Sequence, residues 1–93
     1  MKFELGALVA TPACLRYCEK HGADLIGLVR RHHSGDWGDL EREDKQANED
    51  ALKSGARILS SYRVGDDRVW ILTEAAGDDA RRASTCAMLP SDY

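Results

Sequence analysis

The sequence predicts an α+β domain: three short helices packed on a small antiparallel sheet, in the order β-α-α-α-β-β-β. Three observations carry that reading. Apolar residues between positions 12 and 54 recur at helical spacing and are punctuated by capping residues. After Gly55 the period changes to two, the alternation of strands with one buried face. Gly65-Asp66-Asp67 then supplies turn chemistry between two β-prone runs, which marks a hairpin. The chain has 93 residues, 43% hydrophobic and 31% charged, enough for one small core, so residues 1–93 are read as a single domain.

Each element follows from local chemistry. Residues 2–10 alternate loosely, with Phe3, Leu5, Ala7 and Val9 on one face, and predict the first strand. Thr11-Pro12 reads as an N-cap followed by proline at the first helical position, where its missing N–H is harmless. The helix that follows, 12–21, turns Leu15 and Cys18 inward, with Cys14 nearby, and Gly22 ends it. Asp24 caps a second helix from 25 to 32 or 33. Leu25, Ile26, Leu28 and Val29 form its core stripe, and Arg30, Arg31, His32 and His33 complement the macrodipole at its C-terminal end.

Two glycines and two aspartates make 34–39 a loop. A third helix runs from 40 or 41 to 53 or 54, with Leu40, Asp44, Ala47, Ala51 and Leu52 on its inner side. Asp44 is expected to bond to the Trp37 loop. Residues 56–64 form the first hairpin arm, with Ile58, Ser60 and Tyr62 on one face. In the second arm, 68–75, Val69, Ile71 and Thr73 oppose Trp70, Leu72 and Glu74. Residues 77–82 read as a polar connection, and 84–89 as a last strand stopped by Pro90.

Charge narrows the function classes. The formal net charge of −3 argues against direct nucleic-acid binding, which uses basic stripes. Residues 36–50 hold seven acids against two bases, so the negative charge is localised. This segment is a solvated helix face or a surface for a basic partner, whose approach complementary charge would accelerate. Asp36, Trp37, Asp39, Glu43, Glu49 and Asp50 are its candidate partner-binding residues. Trp37, between two Gly-Asp steps, is a core anchor of the loop or an aromatic contact beside the acids. No apolar run is long enough to span a membrane, and the N-terminus does not read as a signal peptide, so a cytoplasmic protein is expected.

Two constellations bear on catalysis or metal. Cys14, Cys18 and His21 share a helix face and are ligand types that suit zinc, with Cys86, His32 or His33 as a fourth. They lack the tight Cys-x-x-Cys turn, so the three cysteines are expected to be reduced and metal-free, and no cofactor is expected. The second constellation is His32, His33, Asp36 and Asp39, the basis of an alternative reading as a small enzyme or metal-binding protein. Ser60, Ser61 and Thr73 have no nucleophile context and read as cross-strand polar pairs.

The segments MKFELGALVATPA, RHHSGDWGDLEREDKQANEDALKSGARILSSY, VWILTEA and LPSDY together resemble one family. It comprises small proteins of about this length from bacterial plasmids, integrative elements and related mobile DNA. Some are labelled only as plasmid-related, others as the modification subunit of a type I restriction enzyme. The resemblance covers nearly the whole chain and is most specific in Gly35-Asp36-Trp37-Gly38-Asp39, in Glu43-Asp44 with Asn48, and in Leu59-Ser60 with Tyr62. Residues 76–83 depart from the family pattern. A methyltransferase subunit does not fit, because the chain has no Gly-rich cofactor loop and its prolines, Pro12 and Pro90, are isolated. The resemblance implies a setting, mobile DNA, and not an activity. The localised acids carry the functional expectation: a non-enzymatic accessory protein that binds a host protein through its acidic surface, such as a nucleic-acid-binding CRISPR or restriction complex that it inhibits, by analogy with small acidic anti-CRISPR and antirestriction proteins. A homodimer paired through a sheet edge or the hairpin is a further expectation.

Overall fold

In the computed structural model, which describes residues 3–93, the first two helices begin where their caps place them, the second runs on to Ser34, and the third begins at Arg42, past the expected 40 or 41. Helix α1, Pro12–His21, starts where Thr11 Oγ1 accepts the Cys14 N–H at 3.1 Å. Helix α2, Leu25–Ser34, starts where Asp24 accepts the Gly27 N–H at 3.0 Å. Helix α3, Arg42–Ser54, has no side-chain cap; Glu43 and Asp44 in its first turn complement the positive end of the dipole.

The strands are β1 (Ala7–Ala10), β2 (Ile58–Val64), β3 (Asp67–Thr73) and β4 (Ser84–Met88), followed by a single 3-10 turn, Pro90–Asp92. They form one sheet in the order β1-β4-β3-β2. The hairpin and the β3–β4 pair are antiparallel, as expected. The β1–β4 pair is parallel, which corrects the uniformly antiparallel expectation. A parallel partner needs a long crossover, and everything from α1 to β3 supplies it.

The first strand is shorter than residues 2–10 (position 2 lies outside the described residues). Gly6, at φ 66°, turns the chain just before β1, and a Cβ there would stand 2.4 Å from the Arg82 carbonyl oxygen. Only glycine lets the two backbones pass. Phe3 and Leu5 nonetheless pack against the core from outside the strand.

One face of the sheet carries the core. Tyr62, Val69, Ile71 and Ala87 meet Cys14, Cys18 and Val29 of α1 and α2. A second cluster joins Trp37, Ala51 and Ile58, with Phe3, Leu40 and Leu52 around it. Three expected core residues are exposed instead: Leu15, Ile26 and Ala47. The buried stripe of α1 runs through Cys14 and Cys18, which turns Leu15 a quarter-circle away. In α2 the stripe runs through Val29 and His32, which leaves Ile26 to one side. No helix among the described residues is long and apolar enough to cross a membrane.

Candidate functional site

The acidic segment lies against β2, the edge strand of the sheet, and two devices hold it there. The loop before α3 pairs with the strand: the Ser61 N–H donates to the Trp37 carbonyl at 3.2 Å, and the Asp39 N–H donates to the Ser61 carbonyl at 2.7 Å. Gly38 sits in this bridge at φ 77°, where a Cβ would be 2.1 Å from the Ser61 oxygen. Further along, Asn48 of α3 uses its amide as a substitute strand. It donates to the Leu59 carbonyl at 2.8 Å and accepts the Leu59 N–H at 3.1 Å.

Three of the candidate acids are committed to this scaffold. Asp36 accepts Arg31 Nε at 2.7 Å and the Gly38 N–H at 3.2 Å, and the guanidinium holds its carboxyl below the usual range. Asp39 accepts the Arg63 N–H of β2 at 3.0 Å. Glu49 accepts the Trp37 indole N–H at 2.7 Å. Trp37 is only 4% exposed, so it anchors the loop from beneath and has almost no surface to offer a partner. Asp44 does not bond to the Trp37 loop as expected. Glu49, five residues further along and on a different side of the helix, does so instead.

The remaining acids face solvent. Glu41, Glu43, Asp44 and Asp50 are all exposed, and Asp50 accepts only the neutral Gln46 amide, at 3.0 Å. Among the described residues the one salt bridge is Arg31–Asp36. Helical geometry sets Glu43 and Asp50 on the outer face and Asp44 at the rim beside the sheet.

Below that rim lies a groove of about 500 Å³ between α3 and the sheet face that the core leaves open. Asp39, Glu41 and Asp44 form one wall, Arg57 and Arg68 the other, with Leu59 and Trp70 in the floor. Both arginines are held by neutral groups. Arg68 Nη1 donates to the Asp39 carbonyl at 3.0 Å, and Arg57 donates to the Tyr93 phenol. The sequence reading did not single out these basic residues or the groove. Its signal was the outer alternation of the hairpin, on which 57, 59 and 61 stack beside 68 and 70.

The alternative constellation is not brought together. The ring of His32 is fully buried between Ser60 Oγ, 2.6 Å from Nδ1, and Thr73 Oγ1, 2.8 Å from Nε2. Thr73 bonds Thr85 at 2.7 Å, and Thr85 donates to the Leu5 carbonyl at 2.7 Å. That carbonyl can only accept, so each hydroxyl's single proton is assigned in turn. Thr85 gives to Leu5, Thr73 gives to Thr85, and His32 must give from Nε2, leaving Nδ1 to accept from Ser60. His32 is thus a neutral structural link, and burial lowers its pKa to about 4. His33 contacts the Phe3 carbonyl at 2.8 Å, away from both aspartates' partners.

Cys14 and Cys18 are buried free thiols, and burial pushes Cys14 up to about 12. His21 stacks on Tyr17, at 4.2 Å between ring centres. Among the described residues no three His, Cys, Asp or Glu side chains stand close enough together to hold a metal ion.

No protein-family model, curated protein or solved structure matches the chain.

Proposed function

We propose that the protein is a non-enzymatic binding module that docks on a basic protein surface through the outer face of α3. One observation carries this reading. The segment's acids divide into two sets: Asp36, Asp39 and Glu49 fix the scaffold, while Glu41, Glu43, Asp44 and Asp50 are exposed and make no salt bridge among the described residues. A rigid mount under unpaired charge suits recognition, because little ordering remains to be done on binding. The charge sign selects a basic partner, and the groove beside the ridge offers Trp70 and Leu59 to one of its side chains.

The partner class rests on the localised acids and on analogy with small acidic counter-defence proteins; the sequence resemblance adds only a mobile-DNA setting. A carboxylate ridge can occupy a groove that normally takes nucleic-acid phosphates, so we propose a host defence complex, a CRISPR or restriction effector, as the target and inhibition as the outcome. The test is plasmid establishment in a host with an active system of either kind. It compares the native protein with the Glu43→Lys, Asp50→Lys double variant. The native protein is expected to raise establishment, and the variant to lose that effect while keeping its thermal stability. Full retention by the variant removes the acidic ridge as the docking surface. No effect of the native protein on either system removes the counter-defence role.

A further inference from the structure

The two edges of the sheet differ. On β2 the outward backbone groups of Leu59 and Ser61 and the Arg63 N–H are occupied, by Asn48, by the 37–39 loop and by the Asp39 carboxylate. On β1 nothing among the described residues plays that role. The Ala7 and Thr11 N–H groups donate inward to the Ala83 and Ala87 carbonyls of the β4 side, at 3.0 and 2.9 Å. In a parallel ladder alternate residues point the other way, so the N–H and C=O groups of Leu8 and Ala10 face outward. Beside them lies an apolar groove of about 150 Å³, lined by Leu8, Leu15, Leu25 and Ile26. Leu8, Val9, Leu15 and Ile26 are each about half exposed, at 47, 49, 51 and 53%.

We propose that β1 is a homodimerisation edge, joining two copies into one continuous eight-stranded sheet. Three features favour a second copy. First, the edge is self-complementary. A two-fold axis normal to the sheet at Leu8 sets the outward N–H and C=O groups of Leu8 opposite those of its own mate, and the helices of both copies stay on one side. Secondly, residues 5–10 carry no charge, so no like charges meet at the seam. The acidic ridge packs on β2, at the far end of the strand order, so dimerisation holds the two ridges apart. Thirdly, apolar surface is at hand: four large apolar side chains per copy, each about half exposed, lie at or beside the seam, eight in the dimer.

Such an interface is expected to associate in the ~10–100 µM range. Sedimentation of the native protein from about 1 µM to about 1 mM reads it directly. A monomer-to-dimer transition is expected, and a protein that stays monomeric throughout overturns the proposal, including the case in which the edge serves another protein's strand. Leu8→Lys places a charge at the centre of the seam and is expected to be monomeric across the range with unchanged circular dichroism. Persistence of the dimer in that variant overturns it. A third measurement tests the register. In a Cys86→Ser background, Leu8→Cys is expected to form a disulfide-linked dimer on mild oxidation, its Cα atoms lying about 5.5 Å apart across the axis. Ala10→Cys, displaced by about 13 Å from its mate, is expected not to. The opposite pattern overturns the arrangement.

Discussion

At the scale of single residues, His32 sets how the protein responds to acid. It is fully buried and neutral, and burial, with His33 adding like charge, lowers its pKa from 6.5 to about 4. A histidine that resists protonation when folded takes up a proton more readily when unfolded. Its contribution to stability is therefore complete above pH 6.5 and is lost as the pH falls towards 4. The loss is expected to total roughly 3 kcal/mol, read as a falling denaturation midpoint. His32→Gln cannot titrate and is expected to flatten that slope, whatever its absolute stability. Arg82 shows a different solution to burial. It has no carboxylate partner, and its guanidinium donates instead to the Ala51, Ala56 and Glu74 carbonyls at 3.0, 2.7 and 3.0 Å. These lie at the end of α3, in the link to β2 and in the β3–β4 connection. Arg82→Ala is expected to cost about 3 kcal/mol in chemical denaturation, because three acceptors lose a charged donor together.

At the scale of elements, the docking of α3 on β2 decides whether the acidic ridge is presented at all. Asn48 fills both hydrogen-bonding groups of Leu59, so Asn48→Ala is expected to lower stability by about 1–3 kcal/mol, with a fall in melting temperature as the readout. The turn before α3 can be tested by comparing two glycines, both at positive φ. A Cβ at Gly22 meets nothing within 4 Å, whereas one at Gly38 strikes the Ser61 carbonyl at 2.1 Å. Gly22→Ala is expected to cost about 1 kcal/mol, the price of the backbone conformation alone. Gly38→Ala is expected to cost clearly more, because the 37–39 loop must leave β2. Partner binding is expected to weaken with Gly38→Ala and to survive Gly22→Ala.

At the scale of the whole molecule, charge and apolar surface are segregated along the strand order. The unpaired carboxylates lie at the β2 end and the bare apolar edge at the β1 end, with β4 and β3 between them. Binding at the β2 end is expected to weaken steeply between about 0.05 and 0.5 M salt, because exposed charges are screened over ~10 Å at 0.1 M. Association at the β1 end is expected to be nearly indifferent to salt. Measuring both across one salt series separates the two surfaces. Hydrogen exchange supplies an independent map. In dilute solution the Leu8 and Ala10 amides are expected to exchange far faster than those of Ala7 and Thr11, which are bonded to the β4 side. At high concentration the two fast amides are expected to slow.

The sequence by itself determined the elements, their order and the capped ends of the first two helices, because those depend on local chemistry. Thr11-Pro12, Asp24 and Gly22 act within a few residues of themselves, and a period-two pattern reports a half-buried strand without reference to its partner. It also determined that the acids of 36–50 would crowd onto one loop and helix. Only the tertiary structure decided which of them remain free. Asp36 and Glu49 are as acidic in the sequence as Glu43 and Asp50, and what distinguishes them is an Arg31 or a Trp37 brought alongside by packing. The same holds for Arg82, read as part of a loose polar connection and found buried against three carbonyls, and for His32, read as a helix-end charge and found neutral in the core. The parallel pairing of β1 was equally invisible. Strand direction in a sheet is set by the crossover that the whole helical layer makes, and no residue within 7–10 records it.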